Sequence, residues 1–288
     1  MIAYFNGHFM SKDQVHLSPD DRGFLFADGV YEVIRVYHGQ LFQAARHWQR
    51  LERSLHELRL KGPGSAELQA AAQELLRVNE LDAGEAWVYL QITRGAAPRR
   101  HAFPADDTPP TVYATVSPFH FNPDKAAHGV KIILTPDIRW ARCDIKSVAL
   151  LPNVLASQQA RESGADEAVF VRDGVITEGA SSNFGAVFND QFVTHPLSNT
   201  ILPGITRAVV LDLCRQLNIP VKEFPIFERD LPQAEEAMLL NTTDEVMPVV
   251  QINDWRVGNG QPGPITLTLR QAFRKLTSQK LRLGEVHD

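Results

Sequence analysis

Two stretches, Arg142-Cys143-Asp144-Ile145-Lys146-Ser147 and Thr177-Glu178-Gly179-Ala180-Ser181-Ser182-Asn183, decide how this chain is read. The first offers a lysine able to form a Schiff base with an aldehyde. An amine becomes a useful nucleophile when desolvation or neighbouring cations lower its pKa, and Arg139 and Arg142 are the nearest cations in sequence. The second leaves a strand at Glu178, a carboxylate suited to keeping the ring nitrogen of a pyridine cofactor protonated, which makes that ring an electron sink. Taken singly, a lysine between Ile145 and Val148 is ordinarily a solvated side chain, and a turn glutamate ordinarily lies on the surface. Their companions give the pair its meaning.

Leu202-Pro203-Gly204-Ile205-Thr206-Arg207 reads as a turn into a helix capped by Thr206 and running to Leu217. The free backbone amides and the Thr206 hydroxyl there suit a phosphate monoester. Thr242 and Thr243, after the apolar strand Met238-Leu239-Leu240, offer hydroxyls for the same anion, and Arg50 on an earlier helix offers charge. Thr93-Arg94-Gly95-Ala96-Ala97-Pro98-Arg99-Arg100-His101 is a strand end followed by a cationic loop. Arg99 can present a bidentate fork to a substrate carboxylate, with His101 and the Tyr31 phenol adding donors. Each element also has an ordinary explanation, a helix cap or a solvated basic loop.

The surrounding pattern is mixed α and β. Asn6-Gly7 sits between apolar strands, and Val30 to Tyr37 alternates before His38-Gly39 turns into Gln40-Leu41-Phe42. Trp48, Leu51, Leu55 and Leu58, then Leu68, Ala72, Leu75 and Leu76, recur at helical spacing on either side of Gly62-Pro63-Gly64. Strands return at Ala86 to Thr93 and Thr111 to Val116, and the proline-bearing stretch from Pro118 to Asp124 marks a boundary. Residues 1–119 then form one domain and 120–288 a second. The second begins with a strand from Val130 to Leu134 and a helix from Val154 to Glu162. A hairpin about Asp173-Gly174 and strands at Asn183 to Phe188 and Gln191 to Val193 follow. It closes with a helix from Pro264 to Leu283 whose inward positions are Leu267, Phe273, Leu276 and Leu281.

With 288 residues, 44% hydrophobic and 22% charged, the chain has the composition of a soluble two-domain protein. Its 29 Lys plus Arg against 34 Asp plus Glu give a net charge of -5 without a basic stripe, which argues against nucleic acid. No apolar segment approaches a membrane span, the N-terminus carries no leader pattern, and two isolated cysteines indicate neither a disulfide framework nor zinc. A cytoplasmic protein without a metal is expected. Gly258-Asn259-Gly260-Gln261-Pro262-Gly263 matches GxGxxG, but too little chain follows for a βαβ unit. Gly179 to Asn183 is not GxSxG, so a serine hydrolase is not indicated.

At these residues the chain resembles the fold-type IV, pyridoxal-phosphate-dependent aminotransferases, and within them the D-amino acid branch. Asp21-Arg22-Gly23-Phe24, Asp28-Gly29-Val30-Tyr31-Glu32-Val33, Thr93-Arg94-Gly95, Pro98-Arg99-Arg100-His101, Ile138-Arg139-Trp140 and Gly204-Ile205-Thr206-Arg207 join the two opening stretches in that likeness. The resemblance implies a smaller N-terminal α/β domain and a larger, β-barrel-like C-terminal domain with helices. It implies pyridoxal 5'-phosphate joined to Lys146, which also moves a proton between the substrate Cα and the cofactor C4′. Glu178 would pair with the pyridine nitrogen and Arg139 would lie near the phenolic oxygen. Arg50, Ile205, Thr206 and Thr242 would hold the phosphate, and Leu202 would pack beneath the ring. Tyr31, Arg99 and His101 would trap the substrate carboxylate, the last two reaching in from the second subunit of a homodimer. A D-amino acid and a 2-oxo acid would be the substrates.

The branched-chain L-specific relatives resemble the chain in Lys146, Glu178 and Gly204-Ile205-Thr206 but not in the Arg-x-His loop. Arg100 stands where a small residue is expected, and Pro203 also occurs in the L-specific branch. A branched-chain L-aminotransferase, an (R)-amine transaminase and an aminodeoxychorismate lyase share the cofactor and remain the rival activities. A non-catalytic binding protein of the same fold is the rival of another class.

Overall fold

The computed structural model describes residues 1–278. Two compact units are present, one made of Met1–His120, Ile145–Ala149 and, at the end of the described residues, Thr277 and Ser278, the other of Phe121–Asp144 and Leu150–Leu276. The segment carrying Lys146, grouped by sequence with the second half, therefore packs with the first. Leu281 and Leu283 lie outside the described residues.

In the first unit β1 (Ile2–Phe5) and β2 (His8–Ser11) form the hairpin expected at Asn6-Gly7, where both residues take positive φ, 47° and 89°. A short helix α1 (Arg22–Phe26) precedes β3 (Gly29–Tyr37) and β4 (Gln40–Leu41). Then come α2 (Ala44–Glu57), α3 (Ser65–Val78), β5 (Ala86–Thr93) and β6 (Thr111–Pro118). The strands make one sheet of order β2-β1-β6-β5-β3-β4, with antiparallel neighbours throughout. Because strand side chains alternate, Val30, Ile34 and Val36 share one face of β3, and they pack in one core with Trp48, Leu51 and Leu55 of α2 and Leu68, Leu75 and Leu76 of α3. Each such buried aliphatic side chain contributes about 1.5–3 kcal/mol relative to exposure.

The second unit runs through α4 (Pro123–His128), β7 (Val130–Pro136), α5 (Leu151–Glu162), β8 (Glu167–Arg172) and β9 (Val175–Gly179). It continues with β10 (Asn183–Phe188), β11 (Gln191–Thr194), α6 (Ile205–Gln216), β12 (Val221–Glu223) and β13 (Ile226–Phe227). It ends with β14 (Glu236–Asn241), β15 (Glu245–Ile252), β16 (Trp255–Arg256) and α7 (Pro264–Ser278). Strands β10-β14-β15-β7-β8-β9 follow one another as neighbours, and β9 pairs back to β10 through Glu178 and Asn183, closing a barrel-like ring. Ring closure thus places the strand-end glutamate beside an asparagine on the next strand. The expected barrel-like domain is present.

Two local expectations are corrected. Gly204, extended at φ -69° and ψ 135°, is the N-cap of α6, so Thr206 lies inside the first turn instead of capping it. Leu267 is 44% exposed, because the inward stripe of α7 reaches Phe273, as expected, through Thr266 and Leu269 instead. The rejected glycine motif is filled by protein. Both Glu236 carboxylate oxygens accept from the start of α7, Oε1 from Ile265 N at 2.9 Å and Oε2 from Thr266 N at 2.7 Å, where a phosphate would otherwise bind.

Candidate active site

Lys146 sits on the face of Tyr31, with Nζ 4.2 Å from the ring centroid. Its backbone is held from both sides, since Lys146 N donates to Ser54 Oγ at 3.2 Å and Tyr31 N donates to Lys146 O at 3.0 Å. Tyr31 in turn leans on Tyr89 across the β3–β5 ladder, ring centroids 6.0 Å apart, and burial pushes the Tyr89 phenol up to about 12. The cations expected to act on Lys146 are engaged elsewhere. Arg139 is committed to Asp137 and Glu178, and Arg142 pairs with Asp144.

Beneath Lys146 lies a buried triad that sequence reading did not assemble. Glu32 shares the core-facing register of Val30, Ile34 and Val36, and its carboxylate accepts from Arg50 Nε and Nη2 and from His47 Nδ1, each at 2.7 Å. His47, Arg50 and Ser54 stand at positions i, i+3 and i+7 of α2, one helical face turned to the Lys146 segment. Arg50 therefore arrives already oriented, which a solitary guanidinium on a flexible stem would not. Burial alone would raise the Glu32 carboxyl, but the Arg50 charge, then His47, hold it at about 2. Burial also lowers His47, so the ring is neutral at pH 7 and donates to Glu32.

A carboxyl with a lower pKa in the folded state adds stability above its unfolded value and loses it as pH falls through the folded value. For Glu32 that window runs from 4.5 down to about 2, a loss of about 3 kcal/mol. Charging His47 begins the same loss nearer pH 6.5. Glu32→Gln should lower the melting temperature at pH 7 and flatten its dependence between pH 4.5 and 2. Equal slopes in thermal melts of the two proteins would contradict this.

In the second unit Glu178 is the centre. Its Oε1 accepts from Arg139 Nη1 at 2.5 Å, and its Oε2 from Asn183 Nδ2 and Leu202 N, both at 2.9 Å. Burial pushes its carboxyl up to about 7 against the pull of those donors, so its charge depends on them. Asp137 accepts from Arg139 Nε and Nη2 and forms an ion pair with Arg172 Nη2 at 3.1 Å. Arg139 thus reaches Glu178 with Nη1 alone.

Asn183 also ties the site to the helix. Its Nδ2 donates to Leu202 O at 2.9 Å, and a Cβ at Gly204 would collide with its Oδ1. Only glycine lets the Leu202–Gly204 turn pass so close, which fixes the start of α6 relative to Glu178. No side chain caps α6, and among the described residues the hydroxyls of Thr206 and Thr242 have no hydrogen-bond partner. Thr206 is buried in the first turn and Thr242 lies between β14 and β15.

Arg99 and His101 are exposed, in the loop between β5 and β6. Among the described residues their side chains touch Phe26 and not Tyr31. The His101 ring meets Phe26 edge-on at 5.6 Å, and the Arg99 guanidinium lies 5.2 Å from its centroid.

A family model described as amino-transferase class IV matches residues 29–252. The chain belongs to that family. It is 41% identical over 274 residues to the D-alanine aminotransferase of Staphylococcus haemolyticus, covering 95% of this chain and 96% of the relative. The D-alanine aminotransferase of Bacillus licheniformis is likewise 41% identical, over 275 residues with the same coverage. Among solved structures, the Escherichia coli branched-chain amino acid aminotransferase superposes with a TM-score of 0.89 at 25% identity, covering 98% of this chain and 97% of that one.

As a class IV aminotransferase the chain is a pyridoxal-phosphate-dependent enzyme, and its residues fit that cofactor. The uncapped, glycine-led start of α6 with the unpartnered Thr206 hydroxyl suits a phosphate. The carboxylate of Glu178 has three donors where about four lone-pair positions are available, leaving room for a ring N–H. Glu32, His47, Asp137 and Asn183 support the candidate site but have no role assigned from sequence. A carboxylate in the inward register of an apolar strand was the available signal for Glu32, since such a group must be paired.

Proposed function

We propose that this aminotransferase moves the amino group of a D-amino acid such as D-alanine to a 2-oxo acid such as 2-oxoglutarate, in two half-reactions. The observation that carries this reading is the Arg99-Arg100-His101 loop, a cationic fork with no carboxylate partner among the described residues. The whole chain's likeness to the D-alanine aminotransferases supports it.

Pyridoxal phosphate supplies an electron sink for the pair released when the substrate Cα–H bond breaks. Lys146 would be the residue that holds this group covalently, and its amine would be the base that carries the substrate Cα proton. Glu178 would keep the ring nitrogen protonated, with Arg139 holding Glu178 in place, and Arg139 would lie near the phenolic oxygen. Ile205 and Thr206 at the helix start, Thr242 and Arg50 would hold the phosphate, and Leu202 would pack against the ring. Tyr31, Arg99 and His101 bind the substrate carboxylate and so decide which hand of amino acid presents its Cα–H bond to Lys146.

The exposure of Arg99 and His101 supports a homodimer in which this loop of one protomer serves the Tyr31 of its partner. Buried, unpaired Cys143 and Cys214 agree with a reducing cytoplasm. Arg99→Ala should raise the KM for D-alanine about 10- to 100-fold, the loss of a charge-assisted pair, while the cofactor's affinity and absorption stay unchanged. An unchanged KM, or an equal loss of cofactor, would contradict the carboxylate role.

A further inference from the structure

Helix α1 begins where the Arg99–His101 loop begins and grips it again where it ends. On the near side Arg22 N donates to Gly95 O at 2.9 Å, Ala97 N donates to Asp20 O at 3.2 Å, and Asp21 bridges to Ala96. On the far side the Arg22 guanidinium reaches three successive carbonyls, with Nη1 donating to Arg100 O at 2.7 Å and to Ala102 O at 3.4 Å, and Nη2 to His101 O at 3.4 Å.

Arg22 is only 3% exposed and cannot swing away. Its Nε donates to Asp28 Oδ2 at 2.8 Å, and Asp28 also takes Arg94 Nε and Nη2, while Arg94 donates onward to the carbonyls of Leu58 and Arg59 at the end of α2. The helix is itself locked. Asp21 caps it through Gly23 N and accepts the hydroxyls of Thr93 and Thr111, and a Cβ at Gly23 would strike Thr93. At the other end of the helix the Phe26 ring carries the Arg22 guanidinium at 4.8 Å besides Arg99 and His101.

We infer that α1 is the template that orients the carboxylate-binding loop, Arg22 fixing its backbone and Phe26 the directions of Arg99 and His101. Both are positioning residues, since neither needs to touch substrate. Only a planar, five-donor guanidinium can hold Asp28 and three carbonyls together, so lysine is a poor replacement at position 22. An aromatic ring at position 26 offers its face to a cation and an apolar wall to an imidazole, which leucine does not. The inference rests on the reading that Arg99 and His101 bind the substrate carboxylate.

The test uses the holoenzyme and its Arg22→Lys, Phe26→Leu, Phe26→Tyr and Arg99→Ala variants. KM and kcat for D-alanine are measured, together with the Kd for propionate, an unreactive monocarboxylate, and the melting temperature at saturating cofactor. Arg22→Lys and Phe26→Leu should each raise KM and the propionate Kd about five- to tenfold, with kcat within about twofold and the cofactor absorption unchanged. Phe26→Tyr, which keeps the ring, should behave as the parent enzyme. If Arg99→Ala raises KM but Phe26→Leu and Arg22→Lys do not, the template role is overturned while the carboxylate reading stands. If Arg99→Ala leaves KM unchanged, the carboxylate reading itself fails. Loss of kcat and melting temperature in step with KM, or no rescue by tyrosine, reduces α1 to a structural part. The Phe26 pair keeps the test decisive even if Arg22→Lys does not fold.

Discussion

Lys146→Ala is expected to abolish covalent cofactor attachment, with its visible absorption, and to lower turnover by at least about 10⁴-fold. On the proposed reading one amine serves twice, as the anchor and as the proton carrier at Cα. The backbone of the segment is held by main-chain bonds between Tyr31 N and Lys146 O and between Val148 N and Gly29 O, and by an isolated bridge between Val30 and Ser147. Alanine keeps all of these, so the fold should persist and the loss be chemical. Borohydride reduction followed by mass analysis gives the readout independent of turnover. Reduction should fix the cofactor mass on the Lys146 peptide of the parent and on no peptide of the variant. An unchanged spectrum in the variant would remove Lys146 from its role.

Glu178→Gln should lower kcat on the order of 10²- to 10³-fold while the phosphate-binding residues still retain the cofactor. The carboxylate is worth more here than on a surface because it is buried and aimed, with Arg139, Asn183 and Leu202 N fixing both oxygens. A neutral amide cannot stabilise a protonated ring nitrogen comparably, and its NH2 would meet the donors that now point at one of the two oxygens. A kcat within about threefold of the parent, measured in single-turnover half-reactions, would show that Glu178 does not hold the ring nitrogen.

What could be read from the sequence was what short-range chemistry dictates. Asn6-Gly7 and Asp173-Gly174 adopt the positive φ values that their turns require, and the alternation of β3 and the helical spacing of Trp48, Leu51 and Leu55 emerge as strand and helix. The site's less visible half depends on pairings far apart in the chain. Glu32 meets Arg50 eighteen residues on, Arg139 meets Glu178 after thirty-nine, and Arg22 meets the Arg100 carbonyl after seventy-eight. Nothing local to any of these residues announces its partner. The Lys146 segment, which follows the boundary in sequence, clusters with the first unit for a related reason. It is joined to β3 by an isolated bridge and single backbone bonds, which leave no periodic pattern. Thr206 was read as a cap by residue type, whereas the close approach of Asn183 reserves the cap for Gly204.

The central claim, transamination of D-amino acids, is tested most directly by incubating the purified holoenzyme with 2-oxoglutarate and either D-alanine or L-alanine and measuring initial rates of pyruvate formation. The expected result is pyruvate from D-alanine at a kcat/KM at least about a hundredfold above that for L-alanine, the discrimination that a few kcal/mol of oriented binding supplies. Faster pyruvate formation from L-alanine would contradict it.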